Sequence, residues 1–299
     1  MVLRKKKLDL CIVFSIAFLA FGCQEHAKND TSVQISDEMP EVTAEISTLP
    51  PLPTWAKQPL PDFSKYKDTK EKKAAFLNFL YPRIVLANVR VLLERNNLAL
   101  IVKKTELSPD ELVWVESQAK RLKVSEDTDL KEAIALIYRR LDIIPPSLIM
   151  AQAANESGWG TSRFAKQGNN LFGQWCFSKG CGLVPSSRQQ NKRHEVAKFS
   201  APYYSVRSYI QNLNRHDKYQ PLRELRAQIN AKGDYSNGID IVDGLLGYSE
   251  RGEDYIDEIQ GMINFNKLDT YDERFLNLLD DLSSSTLLKL ATIEDPKSY

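Results

Sequence analysis

Histidine and cysteine are scarce in this chain, with three of the first and four of the second among 299 residues. A metallohydrolase gathers several nitrogen, sulfur or carboxylate ligands around one ion. His194 and His216, the two histidines outside the N-terminal stretch, are too few unless carboxylates alone build the site. No metal and no cofactor are expected. A serine or cysteine hydrolase would need a nucleophile paired with a base, and the sequence suggests no such pair. An excess of either charge is also missing. The formal net charge is +1, which gives no electrostatic case for nucleic acid as a partner. Internal repeats are absent, and the single long apolar run lies at the N-terminus.

That run, Leu10 to Phe21, follows the basic Arg4-Lys5-Lys6-Lys7 and ends in Gly22-Cys23, the arrangement of a secretory signal over residues 1–23. It is short for a membrane-spanning helix. A small residue followed by cysteine resembles the bacterial lipobox, which would make Cys23 a lipidation site, although Ala20 stands where leucine is usual and Phe21 is bulky. Ordinary cleavage or a retained anchor are the alternatives, and each implies export, with a periplasmic, membrane-anchored lipoprotein as the expectation. Without residues 1–23 the chain loses four basic residues and one acidic, leaving 36 Lys+Arg against 38 Asp+Glu. Cys176 and Cys181 then remain. In an oxidising compartment such a pair reads as a disulfide shaping a short loop, and with no histidines beside it the pair makes a poor zinc site.

Residues 24–64 lack periodicity and carry six prolines from Pro40 to Pro61. They read as a tether, extending at about 3.1 Å per residue, or equally as a disordered N-terminus without a spacing role. Residues 65–129 have a helical pattern and form an N-terminal extension. Phe76, Leu77, Leu80, Ile84, Val85, Asn88 and Val91 mark a long segment in which Pro82 is a break, and Ser108-Pro109-Asp110-Glu111 opens a helix through Leu122. Leu130, Ala133, Ile134, Ile137, Tyr138 and Leu141 mark another helix. Residues 161–204 show no helical period, and the alternation around Glu195, Ala197 and Phe199 suggests one strand of a small hairpin. Ser205 is read as the cap of a helix through Leu213, Pro221 opens one through Ile229, and Tyr255, Ile259 and Ile263 mark one more. Residues 269–299 are expected as a helical tail.

The stretch with the most chemistry is A-A-N-E-S-G-W-G, residues 153–160. Pro145-Pro146 permits a helix to start, and Leu148, Ile149, Met150, Ala151, Ala153 and Ala154 make it apolar nearly all round, so Ser147 to Ser157 reads as a buried helix. Ile149, Ala153 and Glu156 share one face. Gly158 and Gly160 end the helix and leave Glu156 in its last turn, where the macrodipole and desolvation both disfavour a carboxylate. A raised pKa suits a general acid. A solvated glutamate at a helix end is the competing reading.

A-A-N-E-S-G-W-G-T-S-R-F and G-N-N-L-F-G-Q-W-C-F, with the later R-H-E-V-A-K-F, P-Y-Y-S-V-R-S-Y-I-Q-N-L-N and Y-S-E-R-G-E-D-Y-I-D-E-I, resemble the peptidoglycan N-acetylglucosaminidases of glycoside hydrolase family 73. That family includes flagellar rod-associated hydrolases and the bacterial Bax proteins. The resemblance covers about residues 130–268 and implies a catalytic domain there. It would be α+β, mostly helical and lysozyme-like, with a small β-hairpin lobe and a glycan cleft. Glu156 would be the general acid, Glu195 the second carboxylate, and Tyr248 a tyrosine positioning substrate or water. Asn169, Asn170, Leu171, Phe172 and Gly173 would shape the cleft wall. Tyr255 is a further candidate for substrate contact or a core residue, and Trp159 and Trp175 could stack on sugars, with one of them packing in the core. The substrate's own 2-acetamido group could replace Glu195 as nucleophile. The implied activity is an endo-β-N-acetylglucosaminidase acting on peptidoglycan glycan strands. A lytic transglycosylase or muramidase on the same fold, or a scaffold that binds glycan without turnover, are the alternatives.

Overall fold

Asp68 accepts a hydrogen bond from the Glu71 amide and opens helix α1 (Thr69–Val102), which runs through the middle of the domain with most of its length buried. The computed structural model describes residues 49–186, 193–279 and 281–299. The helix is continuous across Pro82, where a break was expected. Proline removes one amide donor and crowds the preceding turn. There the Arg83 guanidinium donates to the Phe79 carbonyl one turn back at 2.7 Å and to the Trp55 carbonyl at 2.8 Å. The helix is long and apolar enough to cross a membrane, yet most of that stretch is buried inside the protein.

Helices α2 (Pro109–Arg121) and α3 (Leu130–Arg140) follow. Ser108 and Glu111 form a reciprocal capping box at the start of α2. The loop after α3 is held to α1 by Asn88, which donates to the Ile144 carbonyl and accepts from its amide. Buried Arg226 adds a bond to the Ile143 carbonyl. That loop delivers the chain into α4 (Pro146–Ser157), which packs among α1, α9 and α10 and is buried from Pro146 to Ala154. The short α5 (Arg163–Gly168), capped by Ser162, stands in a stretch read as irregular. Its six residues are too few to show a period.

Strands β1 (Trp175–Cys176), β2 (Gly182–Leu183) and β3 (Glu195–Ala197) form an antiparallel sheet in the order β1-β3-β2. A disulfide joins Cys176 to Cys181 between β1 and β2. The mostly helical α+β class expected is thus observed, with a three-stranded sheet in place of a hairpin. Helix α6 (Pro202–Arg215) starts at Pro202, so Ser205 is not its cap. Buried in the first turns, Ser205 accepts from the Leu171 amide instead. Helices α7 (Gln220–Asn230), α8 (Gly238–Ile241), α9 (Glu253–Phe265), α10 (Asp269–Leu278) and α11 (Ser284–Ala291) complete the domain.

Both expected ends of the domain move outward. Within the segment read as tether, Trp55, Ala56 and Phe63 are buried, and Trp55 donates to the Ile293 carbonyl at 2.8 Å. Within the segment read as tail, α10 packs on α4 and α11 on α1, and Tyr299 meets the Trp55 ring edge-on at 5.8 Å. The signal segment, Cys23 and the tether up to residue 48 lie outside the described residues.

Candidate active site

Asp272 on α10 caps the first turn of α4 from outside. One of its oxygens accepts the Ser147 amide at 2.7 Å, and the other accepts the Ser147 hydroxyl at 2.5 Å and the Gly238 amide at 3.1 Å. Burial outweighs these bonds and pushes its carboxyl up to about 6. The far end of α4 stops because Gly158, Trp159 and Gly160 all take positive φ, at 56°, 58° and 76°. Left-handed backbone is uncommon for tryptophan. Here it turns the Trp159 ring edge-on to Phe76 at 5.8 Å, with the Lys73 ammonium 4.6 Å from its centre. A Cβ on Gly160 would lie 2.7 Å from the Phe63 ring. Of the two tryptophans, Trp159 is the one that packs on the core.

Glu156 sits in the last turn of this fixed helix, partly buried. Its Oε1 accepts the Tyr255 hydroxyl at 2.8 Å. Burial raises its pKa first, the bond from Tyr255 lowers it, nearby Glu258 raises it and Arg251 lowers it, with a raised value as the net result. Arg251 pairs with Glu258 at 2.6 Å. Desolvation is the largest of these causes.

Around the acid lies a group of aromatic rings. Tyr255 stacks on Tyr248 at 5.3 Å, and the Tyr248 hydroxyl donates to the Phe172 carbonyl at 3.3 Å. Phe172 in turn stacks on Tyr209 at 4.1 Å. Burial pushes all three tyrosine hydroxyls up, most strongly among the causes, so they stay protonated donors. Asn170 fixes the turn that carries Phe172. Its Oδ1 accepts the Phe172 and Gln174 amides, and its Nδ2 donates to the Gln174 and Ala197 carbonyls. With its polar atoms so engaged, Asn170 braces this turn. Asn169 accepts from the Leu60 amide and donates to the Phe199 carbonyl, which is likewise a framework role. Gly173 lies at φ 63° with open space where a Cβ would stand.

Glu195, expected as a second carboxylate, lies on β3 in the small β lobe. It is 6% exposed, and its two oxygens accept the Gly180 amide at 3.0 Å and the Gly182 amide at 2.8 Å. These bonds run to the disulfide loop and to strand β2, and through them Glu195 braces the β lobe. The Glu195 carboxylate and the Cys176 and Cys181 sulfurs lie within 4.8 Å of one another, but sulfurs joined to each other offer no thiolate to a metal. Beside them Trp175 is 61% exposed and stacks on His194 at 4.0 Å, and Phe177 is 75% exposed. Two exposed aromatics on a braced loop suit stacking on sugar faces.

The structure therefore brings Glu156, Tyr255, Tyr248 and Phe172 together and holds Glu195 in the β lobe. Sequence reasoning missed Gln152, which is buried and donates to the Tyr255 hydroxyl at 2.8 Å while its Oε1 accepts the Tyr209 hydroxyl. A polar residue four before Glu156 in an otherwise apolar helix was the available signal. Glu258 and Arg251 were also missed, lying in a motif in which only the tyrosines drew notice.

A family model described as mannosyl-glycoprotein endo-beta-N-acetylglucosaminidase matches residues 131–268. Protein Bax of Escherichia coli K12 is 34% identical over 209 residues, which cover 70% of this chain and 74% of that protein. Exo-glucosaminidase LytG of Bacillus subtilis 168 is 29% identical over 188 residues, 59% of this chain and 63% of LytG, so the match spans less than two thirds of that relative. No solved structure matches the chain.

Proposed function

The chain belongs to the glucosaminidase family, and from that premise we propose that it is an endo-β-N-acetylglucosaminidase that hydrolyses peptidoglycan glycan strands with Glu156 as general acid. The observation that carries this reading is a partly buried carboxylate with raised proton affinity at a rigid helix end, bonded to a tyrosine hydroxyl and ringed by aromatics. Such a group keeps its proton to higher pH than an ordinary glutamate and delivers it to the glycosidic oxygen as the C1–O bond breaks. Glu195 is occupied in the β lobe, which favours the substrate's 2-acetamido oxygen as the group that closes on C1. Water then opens that ring at C1 and returns its proton to the Glu156 carboxylate, which restores the acid. Tyr248 and Tyr255 keep the carboxylate oriented, and Trp175 and Phe177 offer the glycan two apolar faces. Residues 1–23 would export the chain, and Cys23 would anchor it to a membrane in the periplasm.

Glu156→Gln keeps the shape and loses the proton. The variant is expected to bind purified sacculi as tightly as the unaltered chain and to release no soluble fragments. Undiminished release would remove Glu156 from its role, and an unaltered chain that binds without releasing anything would favour a scaffold.

A further inference from the structure

The hydrogen bond that Tyr255 makes to Glu156 has a direction, and the residues that set it lie behind the site. Buried Gln152 stands between two tyrosines, with the Tyr209 hydroxyl donating to its Oε1 and its Nε2 donating to the Tyr255 oxygen at 2.8 Å. A side-chain amide has one accepting end and one donating end. When Tyr209 donates to Oε1, the Nε2 end must face Tyr255. The Tyr255 oxygen then accepts from Gln152, and its single hydrogen is left to donate to Glu156 Oε1 at 2.8 Å. Among the described residues, Oε2 of Glu156 accepts no hydrogen bond.

We propose that Gln152 and Tyr209 are positioning residues that fix the polarity of this relay, so that Oε1 of Glu156 is held as the acceptor and Oε2 is the oxygen that carries the proton to the substrate. This rests on Glu156 being the acid of the proposed reaction. With the reverse polarity, Tyr255 would donate to Gln152, and Glu156 would have to spend its proton on the tyrosine oxygen. The relay also moderates the acid. The groups facing Glu156 are Tyr255 and Glu258 from α9, Arg251 and Tyr248 from the segment before it, and Tyr209 from α6. Of these, the donated bond from Tyr255 and the charge of Arg251 favour the ionised carboxylate, while Glu258 and burial oppose it. Loosening the relay weakens the bond from Tyr255 and leaves the opposing causes in place.

The test follows the Glu156 carboxyl titration by 13C NMR in the full chain and in Tyr209→Phe and Gln152→Leu, alongside the pH profile of kcat/KM on sacculi. Tyr209→Phe keeps the ring stacked on Phe172 and removes one oxygen, so it remains informative if Gln152→Leu fails to fold. The expected result is a Glu156 titration moved to higher pH in the folded variants, with the alkaline limb of activity moving the same way. Folded variants that titrate as the unaltered chain does would overturn the relay, and a purely structural role would lower Tm or kcat without moving either curve. The titration needs no turnover. Absent sacculus digestion with a moved titration therefore sinks only the glycosidase reading, and intact digestion with an unmoved titration sinks only the relay.

Discussion

A carboxylate at the C-terminal end of a buried helix meets two influences against its charge, the loss of water and the helix dipole. At Glu156 the first dominates, and the Tyr255 hydroxyl only partly offsets it. The raised pKa keeps the proton-donating form populated to higher pH, and activity should fall only as pH rises through that value. The alkaline limb of kcat/KM is therefore expected above the range of an ordinary glutamate, and a limb at that ordinary range would show the burial to be without effect. Glu195 gives an opposite expectation. As a brace, Glu195→Gln should retain turnover within about tenfold while the Cys176–Cys181 loop becomes easier to reduce, whereas loss of a general base costs roughly 100-fold or more. Steady-state rates and thiol release after mild reductant separate the two. Glu156 was legible because its sequence surroundings are so apolar. The bonds of Glu195 were not legible because strand alternation gives the face of a side chain and says nothing of which amides are waiting there, and the amides of Gly180 and Gly182 come from the disulfide loop and from strand β2 paired beside it.

Helix α4 is positioned at both ends by other elements, Asp272 at its start and Phe63 against Gly160 at its close. Asp272→Ala would leave the Ser147 amide buried without its acceptor and the Gly238 amide with the Ser147 hydroxyl alone, which should cost about 1–3 kcal/mol in urea unfolding at neutral pH. The pH dependence has a definite sign. Its folded pKa, about 6, lies above the ordinary aspartate value of 3.8, so its contribution to stability is full below the lower value and is lost as pH rises through the upper one. The difference in unfolding free energy between the chain and Asp272→Asn should therefore change between these two values and be flat above them. A difference that stays constant across the window would mean that Asp272 is not perturbed. Helix boundaries set by caps and prolines, such as Ser108 for α2, were readable locally. The continuity of α1 through Pro82 was not, because this stretch of the helix is held by burial on nearly all sides, contacts that arise only in the folded domain.

The whole molecule is larger than its motifs. The family match ends at residue 268, yet Trp55 and Phe63 before it and Leu287, Leu290 and Tyr299 after it are buried against α1 and against each other. Proline richness made residues 49–64 resemble a linker, but proline also suits a strap that lies flat on a surface without needing its amides paired. Removing Trp55 and Phe63 forfeits two large buried aromatics, each worth about 3 kcal/mol or more. A chain starting at residue 65 should melt well below one starting at residue 49, and equal melting temperatures would return those residues to the role of tether. The proposed activity depends on this entire body holding α4 still. It is tested most directly by digesting sacculi with the full chain, reducing the released fragments with borohydride and identifying their ends by mass spectrometry. The prediction is N-acetylglucosaminitol ends with the unaltered chain and no fragments with Glu156→Gln. Muramitol or anhydromuramyl ends would contradict it.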